Sequence, residues 1–191
     1  MLFGKTKNAV YFNKIKKLLH SAKNDTELYR AIVNAPFHNK LRAVQLDLGI
    51  VVLLLVNEQT KMIDRIALSD TELAAGAISV SAKPFHSIKI PLSSKTNIIA
   101  DAIRSNDFRQ TGDWKYLFTP ALTAEEARFN QAGAAIGCSV VSPLIDTSKK
   151  GALIFSFFQH PENISVAHYN FIAQYSSAVA QALSLAMPAV S

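Results

Sequence analysis

The sequence is short of several things, and each shortage removes a class of protein. Its 191 residues include one cysteine, Cys138. A single thiol cannot build an intramolecular disulfide framework or a cysteine-based zinc cluster, and it fits a reducing compartment. No segment reaches the roughly 18 to 20 apolar residues that a membrane helix needs. The most apolar run, Gly49 to Val56, has the length and β-branched content of a strand. Glycine and proline number only seven each, so collagen-like repetition and linker-like tracts are absent. The opening MLFGKTKNAVYF lacks the apolar stretch of a secretory signal. These shortages lead us to expect a soluble, cytoplasmic protein with one full-sized core.

Acidic residues are missing from the first 23 positions, which carry Lys5, Lys7, Lys14, Lys16, Lys17 and Lys23. The net charge of +6 is therefore concentrated there, and the rest of the chain is close to balanced. No basic stripe interleaved with aromatics crosses the core, so no nucleic acid is expected. A basic helix of this kind suits an acidic partner or a membrane surface.

Periodicity organises what remains. Tyr11, Ile15, Leu18 and Ala22 recur at helical spacing, predicting a helix over residues 8–22. Asn24 or Asp25 caps a second helix that ends near Pro36. Residues 36–48 read as either a helical extension or a lead-in strand. Strands are expected over 50–56, 62–68 and 86–92, and a weak one over 108–111. Asp70, Thr123 and Ser165 stand where helix caps belong, and a short helix is expected over 93–105.

The stretch SPLIDTSKKGALIFSFFQ, from Ser142 to Gln159, reads as a β-hairpin that is apolar on both faces. Leu153, Phe155 and Phe157 point one way, Ile154 and Phe158 the other. A half-exposed hairpin would alternate with polar residues, so both faces must be covered. The fold class is thus α+β, an α/β/α sandwich around a mostly antiparallel sheet.

Order and local wording together resemble a GAF domain. IKIPLSSKTNIIADAIRSND resembles that family's strand, Ile-Pro-Leu and short helix. AAIGCSVVSPLIDTSKKGALIFSFFQ resembles its strand, Pro-Leu, turn and apolar strand, and ISVAHYNFIAQYSSAVAQAL its terminal helix. The resemblance spans about residues 25–186. It implies a six-stranded antiparallel sheet, terminal helices on one face and a ligand pocket under loops and short helices on the other. The domain reading is a basic N-terminal helix at 1–24, a GAF-like domain at 25–187 and a tail at 188–191.

The chemistries known among GAF domains find little purchase. Cys138 is followed by Ser139 rather than the His usual at bilin attachment, and it reads as a buried strand thiol. One cysteine cannot close the disulfide cycle of a methionine sulfoxide reductase without an outside thiol. The Asp-Glu end of the cyclic-nucleotide signature is missing from HPENISVAH. The five histidines have no metal-ligand spacing, and no activated serine motif is present. No catalytic residue, metal or cofactor is expected.

The resemblance implies that the aromatic segment from Phe108 to Phe129 roofs a ligand. The candidate binding residues are His86, Ile88 and Ile90 as floor, and Asn97, Asp113 and Asn130 as polar anchors. Trp114, Tyr116, Phe118 and Phe129 complete them as aromatic walls. The functional expectation is a regulatory module that binds a neutral or singly charged small molecule and signals through its terminal helices. The alternative is a ligand-free structural module for homodimerisation or partner docking. A homodimer is expected on one of two stripes of the last helix. The first runs through Val166, Tyr169, Ala173, Ser176, Ala180, Leu183 and Met187. The second runs through Ile172, Tyr175, Val179, Ala182 and Ala186. No kinase, nuclease or cyclase segment follows, so the module is expected to act in trans or as part of a longer chain.

Overall fold

Residues 48–57 are apolar on both faces because they form the centre of a sheet covered on both sides. The computed structural model describes residues 2–185, with the side chains of residues 9–39 and 43–185. Ala186, Met187 and the tail at 188–191 lie outside the described residues.

The sheet is six-stranded and antiparallel, in the order β3-β2-β1-β6-β5-β4. Its strands are β1 (Leu48–Asn57), β2 (Met62–Leu68), β3 (Ile90–Pro91), β4 (Arg109–Thr111), β5 (Cys138–Leu144) and β6 (Gly151–Phe157). The inner pair β1 and β6 sets Leu53 opposite Leu153 and Leu55 opposite Gly151. A side chain at Gly151 would stand 2.2 Å from the carbonyl oxygen of Leu54, so only glycine lets these strands close.

One face is covered by α1 (Leu2–His20), α2 (Asp25–Asn34) and α8 (Val166–Leu185). Val51, Leu53, Leu153, Phe155 and Phe157 point into this layer, where Phe155, Phe171 and Tyr175 make mutual ring contacts. The stripe Ile172, Tyr175, Val179 and Ala182 is buried there, and so are Ser176, Ala180 and Leu183. The second stripe is therefore occupied within one chain, while the first is buried at Ser176, Ala180 and Leu183 and exposed at Val166 and Ala173. The outer side of α8 leaves Val166, Ala173, Gln174, Ser177 and Gln181 exposed. The first helix belongs to the same layer through Phe12, Ile15 and Leu19, one position round from the expected Tyr11 and Leu18.

The opposite face carries α4 (Glu72–Ser79), α5 (Ile98–Ser105), α6 (Lys115–Phe118) and α7 (Ala124–Gly133). Ile50, Val52, Leu54, Ala152 and Ile154 point into this second core. The hairpin thus divides its apolar residues between two covers, except that Phe158 falls beyond β6 and is exposed.

Local chemistry explains the other departures. Thr71, not Asp70, caps α4 by accepting from the Ala74 amide, while Asp70 faces Arg30 and Asn34. The expected strand at 86–92 shrinks to Ile90–Pro91, because a 3-10 turn occupies Phe85–Ser87 and Pro91 offers no N–H. The ambiguous residues 36–48 resolve into a 3-10 turn at Ala35–His38 and the helix α3 (Lys40–Gln45) before β1 begins.

Candidate functional site

The second core is not filled everywhere. A cavity of about 30 Å³ lies between the sheet and the helices α4, α6 and α7. Its floor is Ile50 and Val52 of β1 with Ile154 and Ser156 of β6, and its roof comes from Ala77, Ile78, Ser81 and Phe85. Trp114, Phe118 and Asn130 form one wall, Arg65 and Leu68 the other. The space is the size of a water molecule and too small for an organic ligand.

Arg65 reaches this cavity by the ordinary alternation of β2. Ile63 and Arg65 share the inner face, and the register with β1 then slips between Leu53 and Leu54. The extra residue, Ile66, lets Leu68 return to the same face as Arg65. The Arg65 guanidinium lies over two rings, with its central carbon 4.4 Å from the centroid of Phe85 and 4.7 Å from that of Phe118. Its Nε has no contact with solvent and no hydrogen-bond partner. Among the described residues no carboxylate pairs with it; the neighbouring Asp64 faces Lys89 at 3.3 Å. Burial pulls the guanidinium down from its usual value to about 9, so it remains a cation at neutral pH.

Asn130 is the second buried polar group without full partners. It is 5 % exposed, its Nδ2 donates to Ser81 Oγ at 3.1 Å, and its Oδ1 accepts nothing. Trp114 is held from two sides. Its backbone N–H donates to Gln131 Oε1 at 2.9 Å, and its Nε1–H donates to Ser139 Oγ at 3.0 Å. Ser139 Oγ lies 2.8 Å from Ser156 Oγ, which links the indole to the cavity floor. The Phe118 ring meets the indole edge-on at 5.3 Å.

The structure brings three of the expected residues together at the cavity: Trp114, Phe118 and Asn130. Ile88 and Ile90 are buried in the same core without lining it. His86 lines the outer groove described below, with its Nδ1 2.9 Å from the Arg65 carbonyl. Asn97 caps α5 by accepting from the amides of Ile99 and Ala100, and its Nδ2 donates to the carbonyls of Leu117 and Thr119. Both halves of its amide are thus engaged by backbone. Asp113 is outside the cavity, gripped by Arg128 at 2.8 and 3.0 Å. Burial works to raise its carboxyl, but Arg128 and the Lys115 amide hold it below the usual range. Tyr116 and Phe129 are exposed, at 43 % and 62 %.

Arg65, Ser81 and Phe85 were not singled out by sequence reasoning. One signal was available for Arg65: it stands two residues from Ile63 in a strand, and so shares its face.

A wider open groove of about 730 Å³ runs outside this cavity, between α2, β2 and α4. Arg30 and Asp70 are paired there at 3.2 Å, and Asn34 is bonded to Asp70. Leu68, Ile78 and Phe85 line both the groove and the inner cavity, and therefore form the partition between them.

Cys138 is fully buried in β5, and burial pushes its thiol up to about 11, so it carries no thiolate at neutral pH. Among the described residues no three His, Cys, Asp or Glu side chains converge as a metal site. No described helix is long and apolar enough to cross a membrane.

No protein-family model matches the chain, and no curated protein does. Solved structures match it over nearly its whole length. The GAF domain of an Acinetobacter phosphoenolpyruvate-protein phosphotransferase is 11% identical, with a TM-score of 0.60 over 92% of this chain and 91% of that one. Residues 122 to 287 of a methyl-accepting chemotaxis protein are 11% identical, with a TM-score of 0.57 over 88% and 93%. A type II free methionine-R-sulfoxide reductase from Thermoplasma acidophilum is 12% identical, with a TM-score of 0.51 over 88% and 94%. The chain has a GAF-like α+β fold.

Proposed function

We propose that the protein is a non-catalytic regulatory module that takes a small organic molecule into the cavity beside Trp114 and Phe118. The observation that carries this reading is the Arg65 Nε and Asn130 Oδ1 pair, two buried polar atoms without partners in a mostly apolar enclosure. Buried groups of this kind are rare in a finished core, because each forfeits a hydrogen bond. A ligand carrying complementary polar atoms removes that cost.

The closed volume requires the wall to move. Leu68, Ile78 and Phe85 separate the cavity from the open groove, so outward displacement of α4 and the Phe85–Ser87 turn gives both entry and room. Such a motion shifts α4 against α2 across the groove and so reaches the terminal-helix layer. The buried Cys138 and the bonding of the cavity's two serine hydroxyls to Asn130 and Ser139 rather than to a base favour binding over catalysis. A homodimer built on α8 would use the exposed Val166, Ala173 and Ser177, since the second stripe and Ser176, Ala180 and Leu183 of the first are already buried.

The test is an untargeted metabolite screen by thermal shift, read alongside Trp114 fluorescence. A ligand at a hundred times its dissociation constant stabilises by about 2.7 kcal/mol. That raises the melting temperature of a chain this size by roughly 5 to 10 °C. If no compound moves either signal, the ligand-free structural module is the better account.

A further inference from the structure

We infer that the cavity recognises a small organic acid with one carboxylate, an uncharged hydrogen-bond donor and an apolar body, its carboxylate held by Arg65. The inference rests on the cavity reading and names the chemical class of its ligand.

Each polar group at the cavity imposes one requirement. Arg65 presents a guanidinium over the rings of Phe85 and Phe118, with no hydrogen bond or ion pair among the described residues. Ring contact uses none of its N–H donors, which match a planar carboxylate. Asn130 is nine-tenths buried and offers an unpaired carbonyl oxygen, which asks for a donor on the ligand. That donor is uncharged, because no Asp or Glu lines the cavity to balance an ammonium group beside Arg65. A zwitterionic amino acid is therefore a poorer match than a hydroxy acid. A phosphorylated ligand is poorer still, since Arg65 is the single cation among the lining residues and the rest are mostly apolar. The apolar body rests on Ile50, Val52, Ile154 and the Trp114 indole.

Two scaffolds, 2-hydroxyisocaproate and 3-phenyllactate, test this, each beside its primary amide and its amino-acid counterpart, leucine or phenylalanine. Trp114 fluorescence titrations on the full chain give the affinities. We expect at least one hydroxy acid to bind, with its amide and amino acid each at least ten-fold weaker. Arg65→Met should lose at least ten-fold in acid affinity while melting no lower than the parent, because it replaces a half-buried cation whose Nε has no partner by an apolar chain of similar length. Equal binding of acid and amide overturns the inference and leaves the cavity reading intact. So does unchanged acid affinity in Arg65→Met, or a marked fall in its melting temperature, which marks a structural arginine. If no compound of either scaffold binds, the inference is overturned, and the untargeted screen alone then decides the cavity reading. The acid and amide comparison uses the parent chain, so it stands even if Arg65→Met fails to fold.

Discussion

Trp114 and Ser139 are joined by a 3.0 Å hydrogen bond from the indole Nε1–H to the serine Oγ, inside the core and next to the cavity. The bond ties the helical wall to the sheet through a serine that also meets Ser156. Ser139→Ala leaves the indole N–H buried and unpaired. It should cost roughly 1 to 3 kcal/mol in urea unfolding, with altered Trp114 emission. An unaltered midpoint and spectrum would show that the indole finds another partner.

Phe155 is fully buried, and its ring packs edge-on against Phe171 and Tyr175. Phe155→Ala should cost roughly 3 to 5 kcal/mol. It lies on the face of the sheet away from the cavity, so ligand affinity of the folded fraction should not change. Equilibrium unfolding and a titration below the melting temperature check both halves.

Asn97 clasps α5 to α6 through its side-chain amide. Asn97→Ala removes a helix cap and the donor for two carbonyls, at a cost of roughly 2 to 4 kcal/mol. Calorimetry checks this, and a loss below about 0.5 kcal/mol on that same scale would argue that water replaces the side chain.

Lys149 links the β5–β6 turn to α2 through Asp25 at 2.5 Å and Tyr29 at 2.6 Å. The Lys149 ammonium holds the Asp25 carboxyl below its usual range. The lysine itself is raised, because these two partners outweigh its partial burial. The pair's stabilisation is thus complete between the ordinary aspartate and lysine values. It is lost as pH falls through the depressed aspartate value or rises through the raised lysine value. Both side chains are partly exposed, so Lys149→Met should cost about 0.2 to 1 kcal/mol at pH 7. The difference from the parent should vanish in melts near the acid limit.

Much of the fold was legible because it is written in periodicities. Two-sided apolarity in Leu153 to Phe157 requires two covers, and the structure supplies the α1, α2, α8 layer and the α4 to α7 layer. The caps Asn24 and Thr123 stand where side-chain chemistry placed them. The cavity was legible only in part. Trp114 and Phe118 were found because aromatics over a sheet are visible in sequence, yet the same rule selected the exposed Tyr116 and Phe129. The four-residue turn of α6 decides which of Trp114, Tyr116 and Phe118 face inward, and its phase has no sequence marker. Arg65 was missed because a charged residue in a strand is ordinarily assigned to the solvent face, although its spacing from Ile63 sets it on the inner one.

The most direct test of the central claim weighs the protein by native mass spectrometry after equilibration with a metabolite extract. The account predicts one small-molecule adduct per chain on the parent, and its loss in Ala77→Val, whose added methyl groups fill the cavity. A bare parent chain, or an adduct that Ala77→Val leaves unchanged, would contradict it.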